Sequence, residues 1–358
     1  MVTVTDAGVA SSPLVSPKSG GMWRYILVRF FLIIPTVIIV VTVVFFLTRF
    51  TGDPITFALG GRLPPDQLAE RIAAAGYDRP VIIQYFEYLA GVFRGDFGTT
   101  ITDNRPVGVI LLTYGSATLE LAFYALVVAF AVGIPLGILA AAKRDRVPDA
   151  LLRFGAILFY ATPIFFVAIV LKLVFSVWLG WLPVAGRAST RTELRLQGLE
   201  SPTGIYLIDA IRLGSPAAVT DVLWHAVLPG LALGLLTAGI FLRLVRTNVI
   251  GTLGSQYVTS ARSRGVNEYR LLTKHAYRPA LIPIVTVMGL QIALLLSGAV
   301  LTEKSFEWRG IGFMLSEYIK ARDFVAVQGI IIMIAIIVAF TNFLVDIIAA
   351  VIDPRVRY

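Results

Sequence analysis

Six long apolar stretches, separated by segments that carry nearly all the charge, set the pattern of this chain: about 30–48, 117–142, 155–181, 226–242, 280–301 and 326–352. A helix needs roughly 20 mostly apolar residues to cross a bilayer. Each stretch therefore predicts one spanning helix, and the fourth, the shortest, begins a little earlier, near Trp224, if it is to reach that length. Pro35, Pro135, Pro163, Pro229 and Pro283 lie inside or near the ends of these stretches. Membrane bundles tolerate such prolines where neighbours satisfy the freed carbonyls. Small residues recur in the second and fourth stretches (Gly133, Gly137, Ala140; Gly230, Gly234, Ala238, Gly239), which suits close helix packing. Between the first two stretches, Pro65 to Ala75 has helical spacing, with Asp66 and Gln67 early and Gly76 just past its end. Val81 to Phe93 is an apolar-aromatic run suited either to the membrane interface or to packing on the mouth of the bundle. Residues 182–221 read as a loop punctuated by Gly, Ser and Pro.

Charge orients the stretches. Segments 1–29, 143–154, 243–279 and 353–358 carry 16 Lys/Arg against five acids in 84 residues. The alternate segments 49–116, 182–225 and 302–325 carry 14 against 15 acids in 136 residues. The positive-inside rule places both termini and the loops 143–154 and 243–279 in the cytosol. The expected organisation is a disordered cytosolic tail over 1–22, a first spanning helix over 23–48, an external segment over 49–116, and a core of five helices over 117–358. The run from Phe30 to Leu47, 18 residues long and followed by Arg49 and Phe50, is too long for a signal-peptide core and is read as a retained helix.

Composition narrows the classes further. The chain is 57% hydrophobic and 15% charged, with a mean hydropathy of +0.81. Soluble domains carry about 25% charged residues, so the bilayer is the natural solvent. The net charge of +9 is spread between apolar segments, which argues against a nucleic-acid face. With no cysteine, thiolate metal sites and cysteine nucleophiles are excluded. His225 and His275 fall on opposite sides of the membrane, and neither HExxH, GxSxG nor a GxxxxGK[ST] phosphate loop occurs. A membrane enzyme or an ATP-binding chain therefore has little support. Ion-coupled transporters need ionisable groups near the midplane. Of those inside the stretches, Glu120 lies near the outer end of the second and Asp346 near the inner end of the sixth, where capping or pairing accounts for them. Lys172 is deeper, and its long stem can reach the interface; it stays a candidate for lining a path.

The informative cytosolic segment is Tyr257–Pro283. Gly265 supplies the backbone freedom to end one short helix. Asn267 is a suitable N-cap for the next, with Glu268 in its first turn and Lys274 and Arg278 in its last. Two short helices meeting at a glycine corner would project a basic surface suited to docking in another protein's groove.

Here the sequence resembles a family. Tyr257-Val-x-x-Ala-Arg-x-x-Gly265, His275 and Arg278-Pro-Ala-Leu-Ile-Pro283 are similar to the coupling loop of the integral-membrane permease subunits of bacterial ABC importers, in the oligopeptide and dipeptide form. Asp78-Arg-Pro, Gly95-Asp-Phe-Gly98, Trp224-His-x-x-Leu-Pro229, Gly310-Ile-Gly312, Arg322-Asp323, Val327-Gln-Gly329 and Asp353-Pro-Arg355 agree in order. The C-terminal residues lean toward the oligopeptide branch. Thr259 and Ser260 stand where many relatives of this loop carry an acid, and the N-terminal tail and the 182–221 segment are longer than the family's pattern. The resemblance implies an all-α type I ABC importer transmembrane domain with six spanning helices. It also implies a second homologous permease subunit, two cytosolic ATPase subunits that hold the ATP and Mg, and an external solute-binding protein. This chain itself would bind no cofactor, no metal and no nucleic acid. Ala261, Arg262, Arg264, Gly265 and Val266 would form the ATPase-coupling loop. Thr162, Lys172, Thr237, Gln291 and Ser297 are candidates to line the path for a peptide. Nickel and glutathione permeases share the resemblance and remain open.

Overall fold

A computed structural model describes residues 21–50 and 52–352, apart from the side chains of 21, 349, 352 and several positions in 278–297. Residues 1–20 of the tail expected over 1–22 and the C-terminal Asp353-Pro-Arg355 stretch lie outside these residues, and Gly21 and Met22 of that tail are helical. The N-terminal region holds α1 (Gly21–Phe31), α2 (Ile33–Phe50), α3 (Pro54–Leu59), α4 (Pro65–Ala74) and α5 (Val81–Phe93). The two short helices read from the sequence between the first stretches are both present as α4 and α5. Tyr85 of α5 stacks on Phe46 and donates to or accepts from Thr42 at 2.8 Å, so this helix packs on α2. Asp53 and Pro54 start α3, the Asp53 carboxylate accepting from the Thr56 N–H.

The bundle proper comprises α6 (Val107–Ala142), α7 (Val147–Ala161), α8 (Ile164–Leu171, continued by a π-helical turn over Lys172–Trp178), α9 (Thr190–Gln197), α10 (Tyr206–Arg212) and α11 (Pro216–Leu253). It continues with α12 (Gln256–Ser263), α13 (Glu268–Arg270, then a π-helical turn over Leu271–Ala276), α14 (Tyr277–Ser305), α15 (Ile311–Lys320) and α16 (Phe324–Ile352). Among the described residues four helices are long and apolar enough to cross a membrane singly: Met22–Phe50, Val107–Ala142, Pro216–Leu253 and Phe324–Ile348. The pair α7 and α8 can make one more.

The small residues of α6 and α11 do what their pattern predicts. A Cβ on Gly133 would lie 2.7 Å from the Ala238 carbonyl oxygen, and one on Gly137 2.7 Å from Val245 Cβ. From the other side, Gly234 meets the Ala125 carbonyl and Val128 at 2.7 Å. Contacts thus advance together along both helices, so α6 and α11 run parallel. The chain between them must return across the bundle, which is the work of α7 and α8. α2 and α16 run antiparallel, since Arg29 pairs with Asp346 at 3.2 Å while Thr48 donates to Gln328 at 3.2 Å.

Several sequence boundaries are corrected. The stretch 155–181 is not one straight helix: α7 and α8 meet at 106°. Pro163 forces Thr162 out of helical geometry, to φ −85° and ψ 129°. α6 begins at Val107, ten residues before the apolar stretch 117–142, and α11 extends beyond 226–242 at both ends, opened by a Ser215 cap and Pro216. Residues 182–221 are not an irregular loop but contain α9, α10 and the start of α11. The helix that starts after Asn267 does not stop near Lys274 and Arg278; it runs on without a break into α14.

Candidate functional site

The segment between α11 and α14 forms a tight elbow. Gly265 has φ +82°. Its N–H donates to the Arg262 carbonyl at 3.0 Å, and the Val266 N–H donates to the Ala261 carbonyl at 3.3 Å. This pair of bonds is the Schellman arrangement that ends a helix at glycine. The expected cap follows: the Asn267 side chain accepts from the Arg270 N–H at 2.8 Å. Arg262 forks onto Glu268 at 2.6 and 3.1 Å, bridging the corner, and its guanidinium holds Glu268 below the usual carboxylate range.

The five residues expected to form a coupling loop divide by orientation. Ala261 is buried with Val258 and Leu271 and packs with Val266, so these two shape the elbow from inside. Arg262, Arg264 and Gly265 are exposed, with Tyr257 and Tyr269 standing out beside them. Arg264 Nε reaches back to the Ser260 carbonyl at 3.2 Å.

The path candidates are scattered. Thr162 sits at the α7–α8 bend and donates to the Leu158 carbonyl at 2.6 Å. Lys172 Nζ donates to the Ser305 carbonyl at 2.8 Å and lies 5.6 Å from the centroid of the Phe306 ring, tying α8 to the end of α14. Thr237 and Gln291 are buried within the chain's own bundle, and the side chain of Ser297 is outside those described.

A polar network lies at the other end of the bundle. Glu120 is paired, one of the two roles its position suggests, though its partner is not readable from the sequence: it is buried against Arg187 and accepts the N–H groups of Tyr206 (3.3 Å) and Leu207 (2.8 Å). Arg187 lies flat over Tyr206, 3.7 Å from the ring centroid. Nearby, the buried Glu303 accepts from Thr118 Oγ1 at 2.6 Å and from the Phe313 N–H at 2.8 Å. Asp323 gathers the Ile101 and Thr102 N–H groups at 2.7 and 2.9 Å. Gly310-Ile-Gly312 was the one sequence signal for the Glu303 contact. A Cβ on Gly310 would stand 2.4 Å from Glu303 Oε1.

An all-helical bundle of parallel and antiparallel membrane-length helices, with a capped elbow between two of them, is the build of a polytopic membrane transport subunit. Residues 133–358 match the family described as binding-protein-dependent transport system inner membrane component, and residues 22–111 match the corresponding N-terminal membrane component. The chain belongs to this family. It is 36% identical to the dipeptide transport system permease protein of Escherichia coli over 94% of this chain and 99% of that one. The di/tripeptide transport system permease protein of Pseudomonas aeruginosa is 37% identical over the same shares. The glutathione transport system permease protein of Salmonella paratyphi A is 32% identical over 94% of this chain and 100% of its own length.

Proposed function

We propose that this chain is one of two homologous permease subunits of an ATP-driven importer for short peptides, with six spans and both termini cytosolic. The observation that carries the mechanism is the helix from Glu268 to Ser305, unbroken from the elbow to the Lys172 and Glu303 contacts. At 1.5 Å per residue it is a lever of about 57 Å. The exposed face with Arg262 and Arg264 docks on a cytosolic ATPase, where ATP and Mg are held. Ala261, Gly265 and Val266 keep the elbow rigid, so closure of the ATPases tilts the lever and exchanges inward- for outward-facing states. An external binding protein delivers the substrate to the path between the two permeases, and Thr162, Lys172, Thr237, Gln291 and Ser297 remain the path candidates. The shared direction of α6 and α11 and the antiparallel run of α2 and α16, with α7–α8 and α14 as the returns, support six crossings.

The names of the peptide permeases above support di- and tripeptides over the longer substrates of the oligopeptide branch. Glutathione, itself a tripeptide, is the second reading because a glutathione permease shares the whole length. ATP-dependent uptake by the reconstituted complex should transport labelled dipeptides, with unlabelled di- and tripeptides competing. Transport of glutathione or nickel without peptide uptake or competition would overturn the peptide assignment and leave the importer standing.

Orientation has its own test. The chain is free of cysteine, and Ser201 and Lys143 are both exposed. Ser201→Cys should react with an impermeant thiol reagent on intact cells, and Lys143→Cys only after the membrane is opened. The reverse pattern would invert the topology.

A further inference from the structure

Between α7 and α11 lies a cavity of about 160 Å³ whose upper wall is apolar and whose rim carries three arginines. Arg246 uses its fork on Asp149, at 2.6 and 2.7 Å. Asp149 is thereby occupied: its second oxygen also accepts the Asp145 N–H at 3.0 Å. Arg153 stands 3.7 Å from Asp149, beyond hydrogen-bond distance. Arg243 approaches the Tyr160 ring at 5.8 Å. Two guanidiniums therefore face the cavity with donor capacity to spare, and the rim holds three cations against one carboxylate that is already matched. The fixed fork of arginine suits phosphate oxygens.

The apolar side of the cavity says what kind of anion fits. Ile157 is 64% exposed and Tyr160 58% exposed, and Leu158 beside them and Leu151 and Phe154 beside Arg153 are each more than half exposed. A ligand that satisfies arginines at one end and apolar side chains along the rest is an amphiphile. We propose that this cavity binds the phosphate headgroup of an anionic phospholipid, its acyl chains lying along the exposed strip of α7. The site occupies the ends of α7 and α11 nearest the basic loops 143–154 and 243–279, where anionic headgroups are attracted by juxtamembrane charge. Its argument is separate from the choice of substrate, because it uses no residue of the elbow or of the path set.

The test is native mass spectrometry of the intact complex, titrated with phosphatidylglycerol and phosphatidylcholine of matched chains. The chain should retain phosphatidylglycerol preferentially. Each guanidinium is expected to contribute about fivefold, so Arg153→Gln with Arg243→Gln should lower the preference on the order of 20-fold. Arg246 is left in place to preserve its Asp149 pair. The corresponding Arg→Lys pair should keep most of the preference, and Arg144→Gln, in the same loop but off the rim, all of it. If the double variant does not stay monodisperse, the two single variants carry the same test at about fivefold each. Equal retention of the two lipids, or a preference untouched by the Gln variants, would overturn the proposal. So would inorganic phosphate displacing the lipid's signal as an equal competitor, which would mark a free-anion site.

Discussion

Gly265→Val should leave the chain in the membrane at normal abundance and cut ATP-driven uptake by about tenfold or more. The reason lies in the backbone. Gly265 sits at φ +82°, and nothing lies within 4 Å of where its Cβ would be. A side chain therefore has room, and the defect isolates conformation from clash. Holding a β-branched residue in left-handed geometry costs about 1–3 kcal/mol. The elbow can avoid that strain by giving up the Val266 to Ala261 and Gly265 to Arg262 bonds, which lets α12 swing relative to α13. A loosened elbow absorbs the ATPase motion instead of passing it to the lever. Gly265→Asn, which tolerates this region better, should fall between glycine and valine. The comparison is uptake per inserted chain, with ATPase activity measured alongside. Full uptake by the valine variant would remove Gly265 from the coupling role, and a loss of insertion would make the effect one of folding.

The elbow was legible in the sequence because everything in it is local. Gly265, Asn267 and Glu268 act within a few residues of one another, and their residue types encode turn and cap directly. The close pairing of α6 and α11 was legible for a related reason, since small residues repeat on one face of each helix. What sequence patterns missed involves distant partners. Thr118 and Glu303 are 185 positions apart, and Arg187 and Glu120 are 67, so no spacing rule connects them. Residues 182–221 read as loop because α9 and α10 are short and pack through partners distant in sequence, Leu196 and Ala210 against Ala218 and Val222. The bend at Pro163 was misjudged differently. A proline in a membrane helix is compatible with a mild kink or with a sharp turn, and only the packing of α8 against α11 and α14 decides between them.

The second large effect is expected at the buried Glu120–Arg187 pair, which joins α6 to the cap formed by residues 182–214 with α9 and α10. Glu120→Gln should destabilise the folded chain by about 3–5 kcal/mol, because it leaves the Arg187 guanidinium buried without a counter-charge. The pair is buried: the Glu120 side chain is 1% exposed and that of Arg187 7%. Arg187 Nη2 also donates to the Gly204 carbonyl at 2.8 Å and its Nε has no hydrogen-bond partner, so Glu120 is its one directly paired carboxylate among the described residues. Arg187→Met should cost less. Glu120 would keep the Leu207 and Tyr206 N–H groups and the Tyr124 hydroxyl at 3.1 Å as donors, and hydrogen bonds favour a carboxylate that has lost its cation. The combination of Glu120→Gln with Arg187→Met should then be more stable than Glu120→Gln alone, since it removes the stranded charge while the glutamine oxygen still accepts from Leu207. That inversion is the diagnostic. Simple loss of packing would make the double variant the worst of the three, whereas an uncompensated charge makes the first single variant the worst. Thermal unfolding of the purified chain in detergent, with limited proteolysis across 182–214 to report on the cap, reads both. A Glu120→Gln protein that melts within about one degree of the wild type, with the cap equally protected, would show that water reaches Arg187 and that the pair does not anchor α10.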